Sequence, residues 1–222
     1  MRIYDIQPGD GVRPGEPVIV DRYPPATRII HWITAICLIV LTLSGLALFH
    51  PSLFFLTDLF GGGENTRWLH PWFGVVAFLA FYGLFFRFWR SCLFVRDDLA
   101  WMLDIGEVLS GHEENAPEVG RYNPGQKLYF WAMSLMMIIL LVSGLALWDQ
   151  YFYPVTGFME KRIAVVVHSV LAVLAICGVI VHVYMGLWER GTLRAMTRGW
   201  VTGGWAWKHH RKWLRELVSG GH

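Results

Sequence analysis

The sequence predicts an all-α integral membrane protein that folds as a four-transmembrane-helix bundle. Apolar residues make up 55% of the 222-residue chain and charged residues only 16%, whereas about a quarter of a soluble domain is charged. The apolar residues are gathered into four runs, each long enough to span about 30 Å of hydrocarbon. Because lipid offers no partners for backbone N–H and C=O groups, such runs must be helices. The net charge of +2 gives no indication of a nucleic-acid partner.

Polar segments separate the four predicted helices, which lie at about 29–49, 69–89, 128–148 and 163–188. Aromatic residues stand near most of their ends, as expected where helices cross the two membrane interfaces. The predicted organisation is an N-terminal segment (1–27), a membrane domain (28–189) and a basic tail (190–222). The loop 90–127 is predicted to contain an amphipathic helix near 98–109, and the tail is predicted to lie at the membrane surface against anionic lipid.

The distribution of lysine and arginine predicts the orientation in the membrane. With the N-terminus in the cytoplasm, sixteen of these residues fall in cytoplasmic segments and only Arg67, Lys161 and Arg162 fall outside. Cytoplasmic segments of membrane proteins are enriched in positive charge. We therefore expect a multi-pass membrane protein with both termini in the cytoplasm.

Four of the nine histidines lie inside the predicted membrane helices: His31, His70, His168 and His182. An ionisable side chain is costly in lipid and usually has a function there, although a single one is more often a hydrogen-bonded core residue. His168 and His182 are 14 residues apart on one predicted helix. They therefore point in nearly the same direction, about 21 Å apart along the axis. This spacing suits two stacked cofactors, one near each membrane face.

The direction of each helix sets the depth of its histidine. His31 is expected at the depth of His182, near the cytoplasmic face, and His70 at the depth of His168, near the outer face. Two imidazoles on opposite sides of one site suit the axial positions of a haem iron, so the sequence predicts a dihaem cytochrome b type of bundle. Zinc would favour carboxylates or cysteines, which do not accompany these histidines. A histidine-based transporter or proton relay is the alternative from another class, and a purely structural anchor is a third.

The other five histidines carry no such pattern. His50 ends the first helix, and four are predicted to face water: His112, His209, His210 and His222. The three cysteines form no C-x-x-C motif, which argues against a disulfide framework and a zinc site.

A weak internal repeat relates the two halves of the chain. LTLSGLALF at 41–49 recurs as LLVSGLALW at 140–148, 99 positions later. Each copy places a Ser-Gly pair in mid-membrane, Ser44–Gly45 and Ser143–Gly144. Small residues there either allow close helix packing or leave room for a flat macrocycle, and the sequence leaves both interpretations open.

Five stretches of the chain form a recognisable set: RIIHW (28–32), RWLHPWFGV (67–75), GRYNPGQK (120–127), the helix from HSVLAV to HVYMGLW (168–188) and WAWKHH (205–210). Together they resemble the cytochrome b, or gamma, subunit of membrane-bound respiratory formate dehydrogenase. The resemblance covers about residues 21–217, so the first twenty residues look like an extension that the family does not share. The family's tail usually reads WAKKHHPRW, from which Trp207 and Arg211 depart.

The resemblance implies two haem b groups, with His31 and His182 binding the inner haem and His70 and His168 binding the outer haem. It also implies a quinone site beside the inner haem, formed by four residues: Asn123, Gly125, Gln126 and His182. From the residues alone, Asn-Pro-Gly before a predicted helix indicates a turn and a helix start, with Asn123 and Gln126 as capping residues.

The resemblance further implies an iron–sulfur (beta) subunit, a molybdenum or tungsten catalytic (alpha) subunit, quinone and membrane lipid as partners, in a higher oligomer of the three-subunit unit. The expected location is the bacterial inner membrane, and the expected role is to pass electrons from the iron–sulfur subunit across that membrane to quinone. Alone, the chain is not expected to oxidise formate, because nothing in its sequence binds a molybdenum pterin or an iron–sulfur cluster. The close alternative is the cytochrome b subunit of a nickel–iron hydrogenase or a thiosulfate reductase. The GRYNPGQK stretch favours the formate enzyme.

Overall fold

The computed structural model of the chain describes residues 6–110, 117–153 and 155–219. Within them, four helices are long and apolar enough to cross a membrane: α1 (Pro25–Phe49), α2 (Gly63–Phe88), α5 (Pro124–Leu147) and α7 (Phe158–Trp188). The predicted all-α membrane fold is therefore confirmed. Each helix begins about one turn before its apolar run, and α1 and α5 both begin at a proline. Proline suits the first helical position because the N–H that it lacks has no partner there.

The remaining elements are short. They are a 3-10 helix (Pro51–Phe60) and the helices α3 (Arg96–Leu103), α4 (Ile105–Leu109), α6 (Asp149–Phe152), α8 (Thr192–Arg198), α9 (Gly203–His209) and α10 (Arg211–Ser219). Three strands, β1 (Gly11–Arg13), β2 (Ile19–Asp21) and β3 (Trp200–Thr202), form an antiparallel sheet in the order β1-β2-β3. The sheet was not predicted, and the amphipathic helix expected around 98–109 takes the form of two short helices, α3 and α4.

The chain divides into two compact units. The first comprises the described parts of Met1–Arg28, Phe86–Trp131 and Tyr184–His222, and the second comprises those of Ile29–Phe85 and Ala132–Val183. The second unit contains most of the four long helices, and its small core is formed by Cys37, Ala77 and Met137. Many of its apolar side chains are exposed, as a surface that faces lipid requires.

The first unit has its own core, built from residues far apart in the chain. Val20 of β2 pairs with Val201 of β3, and both are buried together with Ala206 and Trp213 of the tail. Trp213 and Ala206 are 0% exposed. The prediction that the tail lies on a membrane surface is therefore wrong for these residues, because they are packed inside a folded unit.

Buried charge is the second feature of the first unit. Arg121 forms an ion pair with Asp10, and both side chains are 0% exposed. The Arg22 Nη2 donates to the Arg121 carbonyl at 2.6 Å, and the Arg121 Nη2 donates to the Arg22 carbonyl at 2.6 Å. Each guanidinium thus satisfies the backbone of the other arginine, which offsets part of the cost of removing both from water.

The histidines outside the membrane helices correct one prediction. His210, expected to face water, is 1% exposed, and its Nδ1 lies 2.8 Å from the Gly120 carbonyl. Burial, and then the nearby Arg22 charge, hold the pKa of His210 well below its usual value, so the ring is neutral. His209 is partly exposed and lies 3.3 Å from a Glu189 carboxylate oxygen. His112 and His222 lie outside the described residues.

Candidate functional site

The four membrane histidines all belong to the second unit, where they face each other in two pairs. His31 of α1 faces His182 of α7, and His70 of α2 faces His168 of α7. The ring centroids are 6.3 Å apart in each pair, with interplanar angles of 48° and 69° respectively. The structure thus brings together the same partners that the helix directions predict.

These separations suit a metal ion held between two imidazoles. A metal–imidazole bond is about 2 Å long and the ring centre lies about 1 Å beyond its nitrogen, so two imidazoles on opposite sides of one metal have centres about 6 Å apart. An iron with four porphyrin nitrogens has two axial positions left for such ligands. The geometry of both pairs therefore fits the axial ligation of haem iron.

The Ser-Gly pairs of the internal repeat lie against the His70–His168 pair. Ser44 Oγ is 2.8 Å from His70 Nδ1, and Ser143 Oγ is 2.9 Å from His168 Nδ1. A hydrogen bond at Nδ1 leaves Nε2 as the nitrogen available to a metal. Sequence reasoning did not assign these serines to the site, although the repeat places each Ser-Gly pair on the helix before a histidine-bearing one.

The adjacent glycines provide clearance for the same two rings. A Cβ at Gly45 would lie 3.3 Å from Cε1 of His70, and a Cβ at Gly144 would lie 3.3 Å from Cε1 of His168. That contact is tighter than side chains normally make, so a larger residue would push the imidazole aside. The two glycines therefore allow a close approach between the backbone of one helix and an imidazole ring of the next.

Three residues of the expected quinone site, Asn123, Gly125 and Gln126, lie in the first unit, where α5 begins. The backbone N–H of Asn123 donates to Gln126 Oε1 at 3.0 Å, and the N–H of Gln126 donates to Asn123 Oδ1 at 2.8 Å. This reciprocal arrangement is a capping box, so the capping interpretation describes these two side chains. Gly125 lies between them, with a built Cβ at 3.4 Å from Asn123 Oδ1. His182, the fourth expected member, belongs to the second unit.

A small cavity of about 40 Å³ lies beside Asn123. Lys208, His209 and Arg211 of the tail contribute to its lining, together with Trp101. A space of this size holds a few water molecules at most. Asn123 therefore lines a small polar space together with these basic residues and the acidic Glu118.

Comparisons with known proteins place the chain among cytochrome b proteins. Residues 22–199 match the family described as prokaryotic cytochrome b561. The chain is 43% identical over 196 residues to the formate dehydrogenase cytochrome b556(fdo) subunit of Escherichia coli strain K12, covering 88% of this chain and 92% of the relative. It is 38% identical over 197 residues to the formate dehydrogenase cytochrome b556 subunit of Haemophilus influenzae, covering 89% and 83%. It is 37% identical over 190 residues to the nitrate-inducible formate dehydrogenase cytochrome b556(Fdn) subunit of E. coli K12, covering 86% and 88%.

Proposed function

The chain belongs to the prokaryotic cytochrome b561 family of membrane haem proteins, and we propose that it is the cytochrome b subunit of a respiratory formate dehydrogenase. In this role it passes electrons from an iron–sulfur subunit across the membrane to quinone. The two facing imidazole pairs, each with ring centroids 6.3 Å apart, are the observation that carries the proposal. The names of the relatives favour formate over hydrogen or thiosulfate as the electron source.

Two haem b groups are proposed, one for each histidine pair. His70 and His168 would hold the outer haem, and His31 and His182 would hold the inner haem. When bound, haem supplies the one-electron chemistry that a polypeptide lacks. A histidine from each side would leave no position open for oxygen or substrate, which suits a site dedicated to electron transfer.

The orientation and partners follow from the charge distribution and the relatives. The excess of lysine and arginine in the loop 90–127 and the tail 190–222 supports a cytoplasmic location for the first unit. The membrane domain, 28–189, would then cross the bacterial inner membrane. An iron–sulfur subunit and a molybdenum or tungsten catalytic subunit would lie outside, and the three-subunit unit would form a higher oligomer. Each electron that moves inward against 100 mV requires about 2.3 kcal/mol, which formate oxidation would supply.

Quinone would be reduced near the start of α5, at Asn123, Gly125 and Gln126, with His182 as the histidine shared with the inner haem. The capping box uses the oxygen of each amide and leaves the amide nitrogens, Asn123 Nδ2 and Gln126 Nε2, as donors. An amide N–H can donate a hydrogen bond to a quinone carbonyl. Protons for the reduced quinone would come from the cytoplasm.

The haem count tests the core of this proposal. We expect two b haems per chain in purified protein from a haem-replete host, measured by the pyridine haemochrome assay and a dithionite-minus-oxidised spectrum. Protein of known concentration without a Soret band would refute the cytochrome function and favour histidine-based transport.

The quinone site is tested by separating the two roles of Asn123. Asn123→Ser keeps a good capping oxygen but withdraws the amide donor, and Asn123→Ala removes both. If Nδ2 binds quinone, both variants should reoxidise about tenfold more slowly with menadione after reduction, the loss expected for one hydrogen bond. The haem count of Asn123→Ser should be unchanged. Wild-type kinetics in Asn123→Ser together with a lower melting temperature in Asn123→Ala would show that this residue is only a cap.

A further inference from the structure

We propose that Ser44 and Ser143 are positioning residues that select the iron-binding tautomer of His70 and His168 and lower the redox potential of the haem bound there. This inference rests on the proposed function, because it requires haem between those two histidines. It adds a structural difference between the two haem sites, namely the serine acceptors beside one histidine pair. The helix directions and the histidine spacing do not predict this difference.

The direction of each serine–histidine hydrogen bond follows from the single proton of a hydroxyl group. Ser44 Oγ lies 2.7 Å from the Val40 carbonyl, which can only accept, so the hydroxyl donates there. At His70, 2.8 Å away, the serine oxygen must then act as acceptor, and the proton belongs to Nδ1 of the ring. Nε2 of His70 consequently carries the lone pair that a metal requires.

The second copy of the repeat reproduces this arrangement. Ser143 Oγ donates to the Ile139 carbonyl at 2.6 Å and accepts from His168 Nδ1 at 2.9 Å. Ser44 is 0% exposed and Ser143 is 6% exposed, so water is kept from replacing either hydroxyl. A hydrogen bond in such a low-dielectric environment is stronger than the same bond in water. Both histidines of the outer site are therefore held in the same tautomer by a hydrogen bond to a serine oxygen.

The His31–His182 pair differs at the corresponding atom. Within the described residues, Nδ1 of His31 is buried and has no hydrogen-bond partner. In the second copy of the repeat, the His31 position is taken by Phe130, so no second helix pair duplicates this site. At least one ligand of the inner haem thus lacks the acceptor that both ligands of the outer haem possess.

The expected chemical consequence is a lower potential at the outer site. An acceptor at Nδ1–H raises the basicity of the imidazole that binds the metal, and a more basic ligand stabilises ferric over ferrous iron. Hydrogen bonding to axial ligands is one of the means by which a protein sets a haem potential. Electrons would then enter at the lower-potential site and leave at the higher-potential one, which favours inward transfer.

The test is a redox titration of both haems in Ser44→Ala, Ser143→Ala and the double variant, monitored by optical difference spectra and by the low-spin EPR signals of the ferric haems. We expect two haems per chain, an upward shift of the outer haem's midpoint potential that is larger in the double variant, and an unshifted inner haem. Release of the outer haem to excess apomyoglobin should be about tenfold faster, because loss of such an outer contact typically weakens metal binding by at least that factor. Ser44→Thr and Ser143→Thr, which keep the hydroxyl, should restore wild-type values.

Ser169→Ala is the matched control. Its hydroxyl makes the same kind of bond to the carbonyl four residues earlier, Val165, at 2.6 Å, and no contact with a histidine ring is seen in the described part of the chain. If the Ser44 and Ser143 variants titrate like Ser169→Ala, the inference is overturned. A wrong assignment of the haem site would give a different result from a wrong role for the serines. If His70 does not bind haem, His70→Ala should keep both haems.

Discussion

Replacing His70 or His168 with alanine is expected to remove one of two haems and to leave the other spectroscopically unchanged. Because His168 faces His70, at a ring separation of 6.3 Å, neither histidine alone can ligate the iron from both sides. His31→Ala and His182→Ala should remove the other haem in the same way. The pyridine haemochrome count should therefore fall from two to one in all four variants, and the surviving EPR signal should differ between the two pairs of variants.

His50→Ala is the control for this series. His50 stands beyond the end of α1, and its Nδ1 accepts from the Ser52 N–H at 3.2 Å. The His50→Ala variant should lose the cap of the 3-10 helix Pro51–Phe60 but should keep two haems per chain. A His70 variant and a His31 variant with the same missing EPR signal would contradict the pairing by helix direction.

Replacing Asp10 with alanine is expected to destabilise the first unit by about 3–5 kcal/mol, because it leaves the buried Arg121 guanidinium without its counter-ion. Asp10 Oδ2 also accepts from Trp213 Nε1 at 3.2 Å and from the Gln7 N–H at 3.0 Å. The loss should appear as a lower unfolding temperature of the detergent-solubilised protein, followed by tryptophan fluorescence. Its haem content at low temperature should stay that of the wild type, because the four membrane histidines belong to the second unit.

Asp21→Ala provides the comparison for the Asp10 variant. Asp21 pairs with Arg13 at 2.8 Å, but these side chains are 35% and 54% exposed. An exposed pair of this kind contributes about 0–1 kcal/mol. Equal unfolding temperatures of the two variants would show that burial of the Asp10–Arg121 pair has no energetic consequence. Asp10 lies before residues 22–199, which match the family. A loss of stability in Asp10→Ala would therefore show that the N-terminal extension contributes to the fold.

The internal contacts of the first unit could not be predicted from the sequence. Strand β2 pairs with β3, whose residues Trp200–Thr202 come after all four membrane helices. Three-residue strands carry too little alternation to be recognised. The burial of His210 depends on the Gly120 carbonyl, 90 positions away, and a basic, aromatic stretch such as 205–215 has the same composition whether it lies on a membrane or folds into a core.

The candidate quinone site also has one part that could be predicted from the sequence and one part that could not. The Asn123-to-Gln126 spacing is local, so the capping box was available from the sequence as the simpler interpretation. Its geometry is realised in the structure. A ligand of the two amide nitrogens would be positioned by tertiary contacts, and no local pattern encodes those contacts.

The sequence by itself determined the membrane fold class, the four helices and which histidines face each other. These properties depend on local composition, on the helical period and on the direction of successive crossings, all of which are readable along one chain. Only the tertiary structure decided that Ser44 and Ser143 lie against His70 and His168, and that Arg121 is neutralised by Asp10. Such contacts join side chains of different segments, and their formation depends on how helices and loops pack rather than on any pattern within one segment.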